Sequence, residues 1–136
     1  MEIAALVMWL LTAAAGLRLL VRWLSVGGLR RQGTKVTRYP AILVLGHPTL
    51  AVLALATWVV FLLTRRIVYA WSSFGVLVLV ILLGFTLFTR WLTGQGGKHA
   101  RDAEQGFPVV AVVTHGVVAG LTFVFVLLAA ISVSRR

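Results

Sequence analysis

The sequence predicts an all-α integral membrane protein, a four-helix bundle built from two parallel tandem two-helix repeats with pseudo-two-fold symmetry. The chain is 60% hydrophobic and 12% charged, with a mean hydropathy of +1.01, whereas soluble domains are about a quarter charged. An ungapped offset of 68 residues relates its two halves. Four apolar runs reach the about 20 residues that a membrane-spanning helix needs. They are roughly 3–24, 40–63, 67–89 and 107–133.

The repeat is clearest in residues 39–47 and 107–115, each of which opens with an aromatic residue and a proline and ends in a histidine. The same offset pairs Arg22-Trp23-Leu24 with Arg90-Trp91-Leu92. Arginine, proline and histidine are costly in membranes, so their shared register outweighs matches between aliphatic residues. We therefore interpret residues 1–136 as a single membrane domain, with repeat 1 at 1–68 and repeat 2 at 69–136.

The first apolar run is predicted to be a retained helix. Ala13-Ala14-Ala15 is similar to a signal-peptide cleavage site, but the run opens with Glu2 instead of a positive segment. Pro40 and Pro108 suit the first turn of a helix, where the missing N–H is not needed. At about 1.5 Å per residue, the two histidines then lie roughly 10 Å beyond those prolines, at one depth inside the membrane.

Basic residues predict the orientation. The first and third loops carry eight Arg and Lys residues, and the opposite face carries four, which places both termini outside the cytoplasm. Eleven of the thirteen basic residues are Arg, which is typical of high-GC bacteria and favours the bacterial cytoplasmic (inner) membrane, with multi-pass topology. The net charge of +10 lies at the ends of apolar runs, so it indicates lipid contact and no nucleic acid.

His47 and His115 are the candidate metal ligands, because they are the only ionisable groups expected well inside the bilayer. Two imidazoles at one depth on symmetry-related helices match the axial ligands of one six-coordinate haem. Alternatives remain open: structural hydrogen bonds, proton or quinone handling, a chlorophyll-type pigment, or another metal.

Ala51 and Ala119 follow the histidines by one helical turn and are predicted to lie against the cofactor, although small residues also serve helix packing. Arg22 and Arg90 are predicted to meet the haem propionates, since their fork geometry suits carboxylates. The competing interpretation makes each arginine an interfacial anchor beside its tryptophan.

The sequence lacks the residues that hydrolytic catalysis, thiol chemistry or transport would need. The chain has no cysteine, and no Ser nucleophile stands near a base and an acid, so it is not expected to be catalytic on its own. No acidic residue falls inside the predicted spans, and Pro48 is the one helix-breaking signal there, which disfavours a transporter or channel.

With its two histidines on two helices, the chain resembles small bacterial four-helix b-type cytochrome membrane subunits. The resemblance implies one haem b, electron transfer with menaquinone or ubiquinone, and an accessory place in a larger respiratory complex. One alternative is a cofactor-free structural accessory subunit. Another is an antenna-like protein, because Ala111-x-x-x-His115-x-x-x-Ala119 is similar to the helix pattern of light-harvesting polypeptides.

Overall fold

The computed structural model describes residues 1–30, 39–94 and 103–135. Within those ranges the chain forms four α-helices and one 3₁₀ turn, with no strand. The helices are α1 (Glu2–Ser25), α2 (Ala41–Thr64), α3 (Ile67–Thr93) and α4 (Val109–Ser134), and the 3₁₀ turn is Ala103–Gly106. The predicted all-α, four-helix architecture is confirmed, and α3 runs four residues beyond its predicted end at 89.

The two prolines that are 68 positions apart in the sequence lie at helix starts, as predicted. Pro40 and Pro108 immediately precede α2 and α4, and their carbonyls accept the first helical N–H bonds. Pro48 lies inside α2, which continues as one helix to Thr64. Arg65 adopts a left-handed conformation with φ 58°, and this sharp turn lets α3 begin at Ile67.

The helices associate as two pairs, α2 with α3 and α1 with α4, and the pairs contact each other less extensively. At the end of the bundle that carries both chain termini, Glu2 forms an ion pair with Arg65, and the indole of Trp71 donates to the hydroxyl of Ser134 at 3.0 Å. We call this the termini end. The opposite end, where α1 and α3 finish and α2 and α4 begin, we call the loop end.

Two hydrophobic clusters fill the bundle at different levels. The cluster nearer the termini end is built around Trp9, Trp58 and Phe61 with small alanines between them. The cluster at the loop end contains Trp23, Tyr39, Val44, Trp91 and Phe107. His47 follows Val44 of the loop-end cluster by three residues, so the candidate ligands lie between the two clusters.

All four helices are long and apolar enough to cross a membrane. Their outer surfaces carry exposed aliphatic side chains, including Ile42, Leu63 and Val110, which are 81%, 79% and 76% exposed. A soluble protein rarely exposes so much contiguous apolar surface. The architecture is therefore that of a multi-pass membrane protein in a lipid bilayer.

Candidate functional site

The structure brings the two predicted ligands together. The imidazole rings of His47 and His115 lie with their centroids 6.2 Å apart and their planes at 77°. A metal bound to one nitrogen of each ring at about 2 Å would separate the ring centres by about 6 Å. The spacing therefore suits one metal between the rings and is too long for a direct hydrogen bond between them.

Each ring is oriented by a backbone carbonyl on the neighbouring helix. Nδ1 of His47 lies 3.0 Å from the Val80 carbonyl oxygen on α3, and Nδ1 of His115 lies 3.1 Å from the Thr12 carbonyl oxygen on α1. A carbonyl only accepts, so Nδ1 carries the proton and donates in both cases. Nε2 then keeps its lone pair, which is the usual arrangement of a metal-ligating histidine.

Two glycines make this approach possible. A Cβ added to Gly16 would lie 2.8 Å from Cε1 of His115, and one added to Gly84 would lie 3.2 Å from Cε1 of His47. Gly16 and Gly84 each stand four residues after the carbonyl that accepts the histidine proton. In a helix that places the glycine beside the carbonyl, so the missing side chain opens the carbonyl to the ring.

Sequence reasoning found these glycines only as a matched pair in the repeat and missed their role. The same reasoning did not identify the Thr12 and Val80 carbonyls. The available signal was a glycine on another helix at the depth of each histidine, on α3 for His47 and on α1 for His115. That signal becomes specific only when the rotation of each helix is known.

Ala51 and Ala119 are both half-buried one turn beyond the histidines, and Ala51 packs against the termini-end cluster. A Cβ added to Gly46 or Gly116, which adjoin the histidines in sequence, would meet no other atom within 4 Å.

The two predicted propionate partners differ in their surroundings. Arg22 is exposed, and its Nε donates to the Gly106 carbonyl at 2.8 Å. Arg90 is half-buried. Their neighbours Trp23 and Trp91 are only 1% and 5% exposed and pack in the loop-end cluster. An interfacial anchor would place the indole among the lipid headgroups, so these two tryptophans are core residues.

A hydroxyl pair distinguishes the side of His115. Thr12 Oγ1 and Thr122 Oγ1 lie 2.9 Å apart, and each also lies 2.9 Å from a carbonyl oxygen of its own helix, that of Met8 or Val118. Each hydroxyl carries one proton, so one of them donates across to the other, which donates to its own carbonyl. The residue 68 positions after Thr12 is Val80, which has no hydroxyl, so the side of His47 has no such pair.

Across residues 1–30, 39–94 and 103–135, no group of three or more His, Cys, Asp or Glu side chains is placed to hold a metal ion. A site at the two histidines thus requires a cofactor that fills the other coordination positions itself, as a macrocycle does. His99, predicted to be a solvated loop residue, falls outside the described residues.

Comparison of the chain with protein-family models, with curated proteins and with solved structures found no match.

Proposed function

We propose that the protein binds one haem b between His47 and His115 and acts as an electron-transfer subunit of a larger membrane complex. The observation that carries the proposal is the ring spacing of 6.2 Å together with the Nδ1–carbonyl contact of each ring. The donor set fits, because each ring donates from Nδ1 to a carbonyl and so keeps the lone pair of its Nε2 for a metal.

Different residues would have different roles in holding the haem. His47 and His115 would supply the axial nitrogens, while the carbonyls of Val80 and Thr12 fix the tautomer and orientation of each ring. Gly84 and Gly16 make room for the rings. When bound, a haem supplies a one-electron redox centre, and its apolar surroundings exclude water and tune its potential.

The proposal includes a tandem duplication with pseudo-two-fold symmetry. It is supported by pairs of contacts whose residues differ by 68 positions: His47 with His115, Val80 with Thr12, Gly84 with Gly16, Trp91 with Trp23, and Phe107 with Tyr39. Each histidine contacts a carbonyl from the other half, as a two-fold axis between the halves requires.

We further propose that the loop end faces the cytoplasm of a bacterium, as the distribution of basic residues favours. The exposed aliphatic surface would then contact lipid and the other subunits of a redox complex. Menaquinone or ubiquinone is the proposed small-molecule electron partner, since it is soluble in the same bilayer. Arg22 and Arg90 remain predicted partners for the haem propionates.

The test is a reduced-minus-oxidised visible spectrum of the detergent-purified protein from haem-supplied cells. We expect a sharp α-band of low-spin haem b, which His47→Ala and His115→Ala each abolish. His99→Ala is the matched control and should leave the band unchanged. The variants must elute as monodisperse as the wild type, so that a lost band reports a lost ligand.

A colourless wild-type protein would contradict the proposal and favour the cofactor-free structural subunit. A solvent-extractable pigment absorbing as a chlorophyll would favour the antenna-like alternative, in which each histidine holds its own macrocycle. Retention of the α-band in both histidine variants would show that the haem is held elsewhere.

A further inference from the structure

A cleft of about 270 Å³ opens at the loop end between the last turns of α1 and the first turn of α4. Its polar lining is Arg18, Arg22 and Ser25, and its apolar lining includes Val21, Pro108 and Ala111. The two arginines are exposed, so the cleft is open to the surroundings of the bundle.

The cleft concentrates positive charge. Arg18 and Arg22 are one helical turn apart and therefore lie on the same face of α1. Glu2, the acidic side chain that the structure describes, pairs with Arg65 at the termini end. It is about 20 residues away along α1, roughly 30 Å, and cannot neutralise the cleft.

One arginine of the cleft is held in place by the protein. The Nε of Arg22 donates to the Gly106 carbonyl at 2.8 Å, while the Ser25 hydroxyl donates to the Arg22 carbonyl at 2.7 Å. The first contact ties α1 to the segment that leads into α4. A guanidinium fixed through Nε presents its terminal amino groups as a preorganised pair of donors for an anionic oxygen group.

The second arginine distinguishes this cleft from the equivalent positions in the other half of the chain. At an offset of 68 residues, Arg18 corresponds to Thr86, and the small Ala111 corresponds to the larger Leu43. The Thr86 hydroxyl donates to the Leu82 carbonyl of its own helix. A role in the shared histidine site would be expected in both halves, so the Arg18–Arg22 pair serves something else.

The depth of Arg18 indicates the ligand. It precedes the end of α1 at Ser25 by seven residues, which is about 10 Å along the helix. A cation at that depth needs an anionic partner or must extend to the interface. A long Arg18 side chain that extends toward the loop end reaches the level of the lipid phosphates, and basic pockets between transmembrane helices on the cytoplasmic side bind anionic lipid headgroups.

We propose that this cleft binds the headgroup of an anionic phospholipid, with the phosphate on Arg18 and Arg22 and an acyl chain along Val21, which is 55% exposed. The site needs no haem and goes beyond the proposed function, and it assigns Arg22 to the lipid phosphate in place of a haem propionate.

The test is native mass spectrometry of the detergent-purified protein titrated with dioleoyl-phosphatidylglycerol or dioleoyl-phosphatidylcholine. We expect one phosphatidylglycerol bound in preference to phosphatidylcholine. Arg18→Gln and Arg22→Gln should each weaken it about fivefold, as expected for loss of one basic residue at the membrane surface. Arg66→Gln is the matched control, because it removes an exposed arginine at the termini end, the opposite end of the bundle from the cleft, and it should bind as the wild type.

Arg18→Lys keeps the charge and should retain the lipid, which separates a lost contact from a misfolded protein. Equal binding of the two lipids, unchanged binding in both Arg18→Gln and Arg22→Gln, or equal loss in Arg66→Gln would overturn the proposal. Displacement of phosphatidylglycerol by inorganic phosphate would identify a free-phosphate site instead. A haem spectrum changed by Arg22→Gln with lipid binding intact would assign Arg22 to a propionate and also overturn it.

Discussion

The two imidazole rings make the same kinds of contact on the two sides of the bundle, but the residues around those contacts differ. On the α2–α3 side, His47 contacts the Val80 carbonyl and the backbone at Gly84. On the α1–α4 side, His115 contacts the Thr12 carbonyl and the backbone at Gly16, which is the tighter of the two glycine contacts. Among the described residues, the Thr12–Thr122 hydroxyl pair and the Arg18–Arg22 cleft lie on the second side. Under the proposed function, features common to both sides belong to the haem site, while features of one side serve packing or partners.

The glycines should give the largest difference between the sides. Gly16→Ala places a Cβ 2.8 Å from the His115 ring and Gly84→Ala places one 3.2 Å from the His47 ring, so the first must displace its ring further. We expect both variants to lose haem, with the greater loss in Gly16→Ala, measured as the α-band absorbance per protein.

Gly46→Ala and Gly116→Ala are the matched controls for this comparison, because a Cβ at either position meets open space. They change the same residue type beside the same two histidines. Equal haem content in all four variants would mean that the rings do not depend on the close backbone approach.

Thr12→Val should have a smaller effect on the protein than the glycine substitutions. It places on the α1–α4 side the same residue type that Val80 provides on the α2–α3 side. It removes the Thr12–Thr122 hydrogen bond but leaves Thr122 donating to the Val118 carbonyl. Interhelical side-chain bonds in membranes contribute about 0.6 kcal/mol, so we expect a loss of that order in the free energy of unfolding. The absorption spectrum should not change, because the carbonyl that accepts from His115 remains.

Unfolding of Thr12→Val in a denaturing detergent can be compared with that of Thr49→Val. The Thr49 side chain is exposed and donates only to Leu45 of its own helix. A spectral shift in Thr12→Val would contradict the view that this threonine acts on the ring through its backbone alone.

The smallest effect on stability is expected at the termini end, far from both histidines. Glu2→Gln removes the ion pair with Arg65, whose side chain is 64% exposed. Exposed ion pairs contribute about 0.2–1 kcal/mol, so the thermal midpoint in detergent should fall only slightly and less at high salt. A large loss of stability would mean that this ion pair stabilises the packing of α1 against α2 and is not a weak surface contact.

Hydropathy and the two prolines were sufficient to predict the four helices, because spanning length and helix starts are local properties of the chain. The equal depth of His47 and His115 followed from their spacing to Pro40 and Pro108. That the rings face each other could not be predicted, since a strongly apolar helix has no polar face to reveal its rotation. The burial of Trp23 and Trp91 was missed for a related reason, because a tryptophan beside an arginine at a helix end also fits the membrane interface.

The contact of each histidine with a carbonyl from the opposite half has a consequence for biogenesis. The acceptor for His47 lies on α3, and the acceptor for His115, on the last helix, lies on α1, the first. A chain emerging into the membrane therefore closes the first contact when its third helix is in place and the second only when its fourth arrives. Assembly of the paired rings is in this way coupled to the arrival of α4 in the membrane.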